Sequence, residues 1–454
     1  MSKKVYRVRA KHLDCEGRGV VSFNHSLIPV PGLLVGELAE IELVRKKEET
    51  LGRIVSVVEK SKTRVEDICP YVGSCGGCQL WHMDYKEQLE FKKNQVKALM
   101  GQCGEVPMTI GMEKPVCYRH KIHATLGRDG KGRVISGIYA KGTHKLVAID
   151  ACGIQDAIAD DIMKTVRGGM KKLGIPPYDE DKRKGMLRHV LIKTGANTGE
   201  IMVVFVLASM KFPQGKALSE MLLKKYPVSN KAKNKPWIRT IVYNLNDRKT
   251  SMVLGDEEKV VFGEGYIEDE LCGFKFCISP KSFYQVNPIQ TEKLYMKAMD
   301  MAKITKEDTV LDTYCGIGTI TLLASKYAKQ VVGVELNPDA VSDARMNAKN
   351  NQVKNVRFIC QDATKYMQEA VNQPEVPKYD VIIMDPPRSG STKEFMKAMV
   401  KMAPQRIVYI SCNPATQKRD MESLIKDGYK VRGIQPVDMF PMTSGIENIV
   451  VFER

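Results

Sequence analysis

The sequence lacks any apolar run long enough to span a bilayer, and its first residues, MSKKVYRVRAKHLD, lack the apolar stretch of a secretory signal. We therefore expect a cytoplasmic protein without membrane contacts. In that compartment the 12 cysteines are not expected to form disulfides. The hydrophobic fraction of 43% and the charged fraction of 27% are those of a folded globular chain, and 454 residues suffice for two or three domains.

Acidic residues are outnumbered. The chain has 70 Lys and Arg against 53 Asp and Glu, a formal net charge of +17. Most of the excess lies in residues 1–270. A basic surface of this size favours a polyanionic partner such as nucleic acid, although a lysine-rich surface without a ligand is the simpler alternative.

Helical periodicity is missing from the first part of the chain. Four β-rich segments, VYRVRA, GRGVVSF, LLVGELAEIELV and LGRIVSVVEK, are separated by Gly and Pro turns. This pattern predicts an OB-like β-barrel over residues 1–62, a fold that often binds single-stranded nucleic acid. A small structural β-domain is the alternative.

A central α+β domain is predicted over residues 63–270. Tyr85, Leu89, Val96 and Leu99 form the apolar stripe of a helix. We interpret the lysines of that helix, Lys92 among them, as a solvated face. The segments VISGIYA, HVLIKTG and IMVVFVLA predict strands, and KNKPW (233–237) predicts a loop.

The pattern changes in residues 271–454. Asn287 and Pro288 are typical of a helix start. Five strands then alternate with helices, in TVLDTY, QVVGVEL, VRFICQD, YDVIIMD and RIVYISC, and two last strands can pair as a hairpin. This order predicts an α/β fold with a doubly wound, Rossmann-like sheet. The closing hairpin is typical of class I methyltransferases.

The segment LDTYCGIGTI, which follows the first of these strands, lacks the third glycine of the dinucleotide fingerprint, since Thr321 takes its place. Nicotinamide and flavin are therefore disfavoured. Gly316 and Gly318 still allow a ligand close to the backbone. Three acids close the next strands: Glu335, Asp362 and Asp385. Each alone could be a helix cap or a surface acid, but together they predict S-adenosylmethionine, with Glu335 at the ribose.

Cys412 closes the fifth strand, in YISCNPAT. A buried, inert cysteine is the simpler interpretation. Its place at the edge predicted to hold the cofactor favours catalysis instead. A thiolate that adds to C6 of uracil activates C5 for methylation, and a base must then remove the C5 proton. Glu447 is our candidate base, although an exposed acid is its simpler interpretation. Cytosine C5 fits the same logic. DPPR, with Arg388 where amino-methyltransferases carry an aromatic residue, disfavours N-methylation.

These motifs together resemble the RNA uracil-5-methyltransferase family, and most closely its 23S ribosomal RNA branch. The resemblance rests on SFYQVN, LDTYCGIGT, VGVELN, MDPPRSG, YISCNPAT and DMFPMT…E, in family order. It implies Cys412 as nucleophile and Glu447 as base. It also implies an S-adenosylmethionine site lined by Gln285, Tyr314, Glu335 and Asp385, with Gly316, Gly318 and Asp362 nearby.

The same resemblance implies a TRAM domain at residues 1–62, a central RNA-binding domain at 63–270 and a methyltransferase domain at 271–454, in a monomer. The family usually has His where this chain has Gly445. This departure leaves an RNA-binding relative with impaired catalysis as one alternative. A transfer RNA enzyme is the other.

Four cysteines are spaced as a ligand set: Cys69, Cys75 and Cys78, with Cys152 further on. Four thiolates suit zinc or an iron–sulfur cluster. The resemblance favours [4Fe–4S]. No C-x3-C-x2-C triad indicates radical chemistry. Arg119 and Lys121, in YRHKIH, are our RNA-contact candidates, since the resemblance places this segment against RNA; a solvated basic turn is the alternative, and Arg188 is a weaker candidate.

Overall fold

The computed structural model describes residues 4–46, 49–66, 69–140, 142–229, 236–249 and 252–454. No helix in these ranges is long and apolar enough to cross a membrane. Most of the loop predicted at 233–237 lies outside the described residues, and Trp237 begins a strand.

Six strands form the N-terminal unit: β1 (Val5–Arg9), β2 (His12–Leu13), β3 (Gly19–Phe23), β4 (Ser26–Val30), β5 (Leu38–Lys46) and β6 (Glu49–Glu59). They make two three-stranded sheets, β1-β5-β6 and β2-β3-β4, which share a core that includes Val8, Val21 and Ile41. β4 contacts β6 and β1 contacts β3 across the core. The OB-like barrel and its assignment as a TRAM domain stay predictions. β4 escaped prediction because Pro29 interrupts its pattern.

The central unit follows a long helix, α1 (Tyr85–Met100). Its sheet has the order β13-β12-β11-β10-β7-β8-β9, and helices α2 and α3 pack on one face. The elements are β7 (Lys121–Arg128), β8 (Val134–Tyr139), β9 (Leu146–Ala148), α2 (Ala157–Leu173), β10 (Leu187–Thr194), β11 (Glu200–Leu207), α3 (Gly215–Lys225), β12 (Trp237–Leu245) and β13 (Glu257–Phe262). The three strands predicted here are confirmed.

A hairpin of β14 (Ile267–Leu271) and β15 (Phe274–Ile278) leads into the C-terminal unit. The domain boundary predicted at 270 falls inside this hairpin. On the other face of the central sheet, Leu191, Met202 and Val204 join the core of the C-terminal unit, so the two units share a buried interface.

The C-terminal sheet has the order β18-β17-β16-β19-β20-β22-β21, with β16 to β20 parallel and β22 antiparallel to both neighbours. Its elements are α4 (Pro288–Ala302), β16 (Thr309–Asp312), α5 (Thr319–Ser325), β17 (Gln330–Glu335), α6 (Pro338–Asn350), β18 (Val356–Cys360), α7 (Ala363–Ala370), β19 (Val381–Met384), α8 (Lys393–Met402), β20 (Arg406–Ser411), α9 (Pro414–Lys426), β21 (Lys430–Val437) and β22 (Glu447–Glu453). The predicted Rossmann-like fold and its closing hairpin are confirmed.

Local sequence explains the helix starts of this unit. Asn287 caps α4 through its side chain, with Pro288 in the first turn, as predicted. Asn337 and Asn413 cap α6 and α9 in the same way, each followed by proline. The strand order reverses between β16 and β19, which opens a crevice at the carboxyl ends of these strands.

Helix α1 is placed differently from its prediction. Val96 and Met100 pack into the core of the C-terminal unit, against residues such as Ile434 and Val450. Lys92, which we interpreted as solvated, is fully buried. The interpretation of Lys92 as solvated is wrong because Lys92 lies on the same helical stripe as Tyr85 and Val96, and that stripe is the face buried against the C-terminal unit.

Candidate active site

The carboxyl ends of the parallel strands bring the predicted site residues to one edge of the sheet. Glu335 ends β17, Asp385 directly follows β19 and Cys412 directly follows β20. Asp362 lies two positions after β18, where it caps α7 by accepting from the Lys365 N–H. The shared edge follows from the parallel register of these strands.

The glycine loop is built around Glu335. Gly316 and Gly318 adopt left-handed conformations, with φ of +53° and +87°. The Gly316 N–H donates to Glu335 Oε2 at 3.1 Å, and the Asn337 N–H donates to Oε1 at 2.8 Å. These bonds fix the carboxylate beside the loop, at the position predicted for a ribose.

Asp312, at the end of β16, is a site residue that we did not predict. Its Oδ2 accepts from the Thr321 hydroxyl at 2.7 Å, while its buried Oδ1 has no hydrogen-bond partner among the described residues. Burial raises the pKa of Asp312 to about 7. Such an orphaned carboxylate oxygen suits a cationic ligand. The sequence could have indicated this residue, because Asp312 comes shortly before the glycine loop.

Asp385 lies next to Asp312. Burial and then the Asp312 charge raise the pKa of Asp385 to about 7. Tyr295, only 3% exposed, hydrogen-bonds through its hydroxyl with the side chains of Gln285 and Thr319, and the charges of both aspartates raise its pKa further after burial. Gln285 therefore joins the acids at the crevice.

Tyr314 lies on the other side of the glycine loop. Its hydroxyl is 3.3 Å from the Ser391 hydroxyl. Burial raises its pKa, and the Asp362 charge adds to the effect. The seven residues predicted for the cofactor lie at the carboxyl ends of the parallel strands, in the glycine loop or next to Tyr295, and their contacts with a cofactor stay a prediction.

The register of β20 and β22 brings Cys412 and Glu447 together. Ser411 lies opposite Asn448 in this antiparallel pair. One step further along the register, Cys412 faces Glu447, and residues directly opposite one another project from the same face. The Glu447 charge accordingly raises the pKa of the Cys412 thiol, after burial as the largest cause.

Arg388 supplies the opposing charge. Its guanidinium hydrogen-bonds the Cys412 sulfur, which lowers the pKa of the thiol. The loop that carries Arg388 is tied to the turn after Cys412, because the Arg388 carbonyl accepts from Asn413 Nδ2 at 3.1 Å and from the Thr416 hydroxyl at 3.3 Å. In the sequence, Arg388 serves only to disfavour N-methylation. Its contact with Cys412 could not be predicted, because the two residues are far apart along the chain.

Glu447 is 4% exposed, so its interpretation as a surface acid is wrong. Burial raises its pKa well above the ordinary value; the Asp385 charge adds to this and Arg388 opposes it. Gly445 leaves little room for a larger residue, because a Cβ there would lie 3.3 Å from both Phe440 Cδ2 and Thr443 Oγ1. Glu447 thus stays the base candidate, and position 445, where the family usually has histidine, holds a glycine.

Known proteins share this architecture. Residues 251–454 match the family model described as tRNA (uracil-5-)-methyltransferase. An uncharacterized RNA methyltransferase of Halalkalibacterium halodurans is 41% identical over 99% of this chain and 97% of its own. One from Clostridium tetani is 40% identical over 98% and 95%.

The chain belongs to the RNA uracil-5-methyltransferase family. A solved structure of a Pyrococcus abyssi tRNA (uracil-54, C5)-methyltransferase with S-adenosyl-L-homocysteine has a TM-score of 0.78 and 26% identity, covering 98% of this chain and all of that one. The protein is thus an S-adenosylmethionine-dependent RNA methyltransferase.

The RNA-contact candidates of this methyltransferase lie on and beside β7. Arg119 and Lys121 are half-buried, and burial followed by the Arg119 charge lowers the pKa of Lys121. They stay predictions. Arg188 is 2% exposed and holds Glu180 through two hydrogen bonds of 3.0 and 2.8 Å. Arg188 is therefore a structural residue and not an RNA contact.

Cys69, Cys75, Cys78 and Cys152 of the methyltransferase line one pocket together with Tyr71 and Trp81. Burial raises the pKa of Cys75 and Cys152, and raises that of Cys78 to about 12 with contributions from the neighbouring cysteines. The predicted metal site is not supported, because in the described ranges no group of three or more Cys, His, Asp or Glu is arranged to hold an ion. Thiols without a metal ion need not point to one centre, whereas thiolates that bind a metal ion do.

Proposed function

We propose that this protein methylates C5 of a specific uridine in 23S ribosomal RNA through covalent catalysis by Cys412, with Glu447 as the base. The observation that carries this proposal is the pair itself: a thiol and a buried carboxylate on neighbouring strands, at the edge where the cofactor fits. Bound S-adenosylmethionine supplies an electrophilic methyl group.

The chain's residues divide the chemistry between them. The Cys412 sulfur bonds to C6 of the base, and the electron pair of the C5–C6 double bond takes the methyl group at C5. Glu447 then takes the C5 proton, the double bond forms again and the C6–S bond breaks, which returns Cys412 as a thiolate. Arg388 stabilises that thiolate before attack and after release.

The proposed route requires Glu447 to be ionised when it acts, although burial and Asp385 favour its neutral form. The positive charge of a bound S-adenosylmethionine would lower the pKa of acids close to it and would therefore favour the ionised form of Glu447.

The test is a covalent trap. RNA transcribed with 5-fluorouridine carries no C5 proton for Glu447 to remove, so the adduct through Cys412 persists. We expect a denaturation-resistant complex between the wild type and fluorinated 23S RNA, with S-adenosylmethionine present, and none with Cys412→Ala. Cys15→Ala, which changes an exposed cysteine in the N-terminal unit, is the matched control. Binding without an adduct, or turnover by Cys412→Ala, would refute the mechanism.

The RNA target is tested in a separate experiment. Our choice of 23S RNA rests on the sequence resemblance, whereas the structurally similar P. abyssi enzyme acts on transfer RNA at uracil 54. Transfer RNA is therefore the second candidate. Mapping of 5-methyluridine in ribosomal and transfer RNA from cells that lack this protein distinguishes the two: the missing modification identifies the substrate.

We further propose that the four-cysteine pocket binds a [4Fe–4S] cluster, with zinc as the alternative. The donor set fits, and Trp81 adds support: its buried indole N–H has no conventional hydrogen-bond partner in the described ranges and interacts with the Cys78 sulfur. A cluster also holds its thiolates on separate iron atoms, so it tolerates wider spacing than one zinc ion. Protein isolated without oxygen should contain iron and sulfide in equal amounts, lost in Cys78→Ser but kept in Cys117→Ser. Stoichiometric zinc, or no metal, would contradict this.

A further inference from the structure

Residues 438–446 connect β21 to β22 without helix or strand structure, and we name this segment the strap. It starts next to Val437 and ends next to Glu447, which are paired in the register. A loop of this length loses much conformational entropy when it is fixed, so contacts from outside must hold it.

The first external contact is at Asp438. Lys92 and Asp438 are both fully buried, with Lys92 Nζ 2.5 Å from Asp438 Oδ1 and 3.0 Å from the Phe440 carbonyl. The Tyr85 hydroxyl donates to Asp438 Oδ2 at 2.8 Å. Both contacts come from α1, so this helix fixes the start of the strap.

The second contact is at Met442, which has a left-handed φ of +65° that is unfavourable for a residue other than glycine. Its N–H donates to Gln88 Oε1 at 3.0 Å, and its carbonyl accepts from the N–H groups of Gln79 and Leu80, both at 3.0 Å. Gln88 Nε2 donates in turn to the Leu80 and Met83 carbonyls. The Gln88 side chain thereby connects α1 both to Met442 and to Leu80, which is itself bonded to the Met442 carbonyl.

Cys412 follows β20, an interior strand that is parallel to β19 and antiparallel to β22. Glu447 is the first residue of β22 and adjoins the strap, so movement of the strap would shift the Glu447 side chain more than Cys412 or the glycine loop. The two chemical steps are therefore separable: addition and methyl transfer depend on the sheet alone, and proton removal depends on the strap as well.

We propose that Gln88 is a positioning residue for the catalytic carboxylate: through the strap, it holds Glu447 against Cys412 for removal of the C5 proton. The proposal rests on the proposed function above. It assigns α1 a place in catalysis although no atom of that helix is expected to touch the RNA base or the cofactor.

The experiment uses full-length Gln88→Met, which keeps side-chain length and removes the amide, and Tyr85→Phe, which removes a single hydroxyl. Lys93→Met is the control, because within the described residues the side chain of Lys93 bonds only to Glu90 on the same helix. Each protein receives S-adenosylmethionine and whichever unmodified transcript, 23S or transfer RNA, the wild type methylates. Denaturing gels measure the covalent adduct, and released RNA measures turnover.

We expect Gln88→Met to release methylated RNA about 10- to 100-fold more slowly, with the methylated adduct accumulating on ordinary uridine, because small misplacements of a catalytic group have effects of this size. Tyr85→Phe should show a smaller change in the same direction, and S-adenosylmethionine affinity should be unchanged in both. If Gln88→Met does not fold, Tyr85→Phe decides the question.

Two results would overturn the proposal. Parallel loss of adduct, turnover and cofactor affinity would mean that Gln88 serves the fold only. Wild-type turnover without accumulated adduct in both variants would mean that the strap does not position Glu447. Failure of the proposed function is a separate result, because then the wild type itself forms no adduct with fluorinated RNA.

Discussion

Arg388 lies close enough to Cys412 for its positive charge to lower the pKa of the thiol. Removal of this charge leaves burial, Glu447 and Asp385 to raise the pKa of the thiol without opposition. We expect Arg388→Ala to slow alkylation of Cys412 by iodoacetamide near pH 8 by about tenfold for each pKa unit gained. Peptide mass spectrometry measures the rate across pH. Lys393→Ala, at an exposed position on α8, should match the wild type, and so would Arg388→Ala if the contact had no effect.

Glu447→Gln should separate the two halves of the proposed reaction. The amide keeps the shape of the side chain but cannot take the C5 proton, so we expect turnover to fall by about 10²- to 10⁴-fold. The methylated adduct with Cys412 should accumulate on ordinary RNA. A radiolabelled methyl group that migrates with the denatured protein measures it. If released product forms at the wild-type rate, another group is the base.

The buried pair Asp312 and Asp385 makes stability depend on pH. Their pKa values are raised to about 7, so the folded state holds protons that the unfolded state releases near pH 4. The free energy of unfolding should therefore decrease as pH rises from about 4 to about 7. Asp312→Asn should weaken this decrease and, at pH 8, stabilise the cofactor-free protein by roughly 1–3 kcal/mol.

Thermal unfolding at a series of pH values measures this effect, with Asp247→Asn in an exposed loop as the control. A pH profile for Asp312→Asn that coincides with the wild type would show that Asp312 does not hold a proton in this range.

The buried ion pair between Lys92 and Asp438 should be intolerant of single changes. Lys92→Met leaves the Asp438 carboxylate without its charged partner, and we expect a loss of about 3–5 kcal/mol in the free energy of unfolding. Adding Asp438→Asn should recover part of that loss. Denaturant unfolding measures both. Lys86→Met, at an exposed position of α1, is the control, and equal stability of all the variants would show that the pair contributes little.

The alternation of strands and helices in the catalytic unit was predictable, because five apolar runs of strand length alternate with helix starts that Asn and Pro mark locally. The placement of Glu335, Asp385 and Cys412 at one edge then followed from the geometry of parallel strands. Asp312 was predictable in the same way, because it ends the first of these strands.

Other features were beyond local patterns. Lys92 has the spacing of the apolar stripe, but a buried lysine needs a charged partner, and that partner, Asp438, is 346 positions away. Arg188 lies in a basic segment, yet it is buried against Glu180. The four cysteines were predicted as a ligand set from spacing. Spacing does not show whether side chains on separate loops meet, and the structure brings all four to one pocket, although within the described residues they are not arranged around a single ion.

By itself, the sequence determined the doubly wound fold, the glycine loop and the family, because each of these depends on periodicity and on residues close together along the chain. Only the tertiary structure decided which acid faces Cys412, that Arg388 reaches its sulfur and that α1 holds the strap. Those relationships depend on the register between strands and on packing between distant segments, and the burial that raises the pKa of Glu447 exists only once the units have packed together.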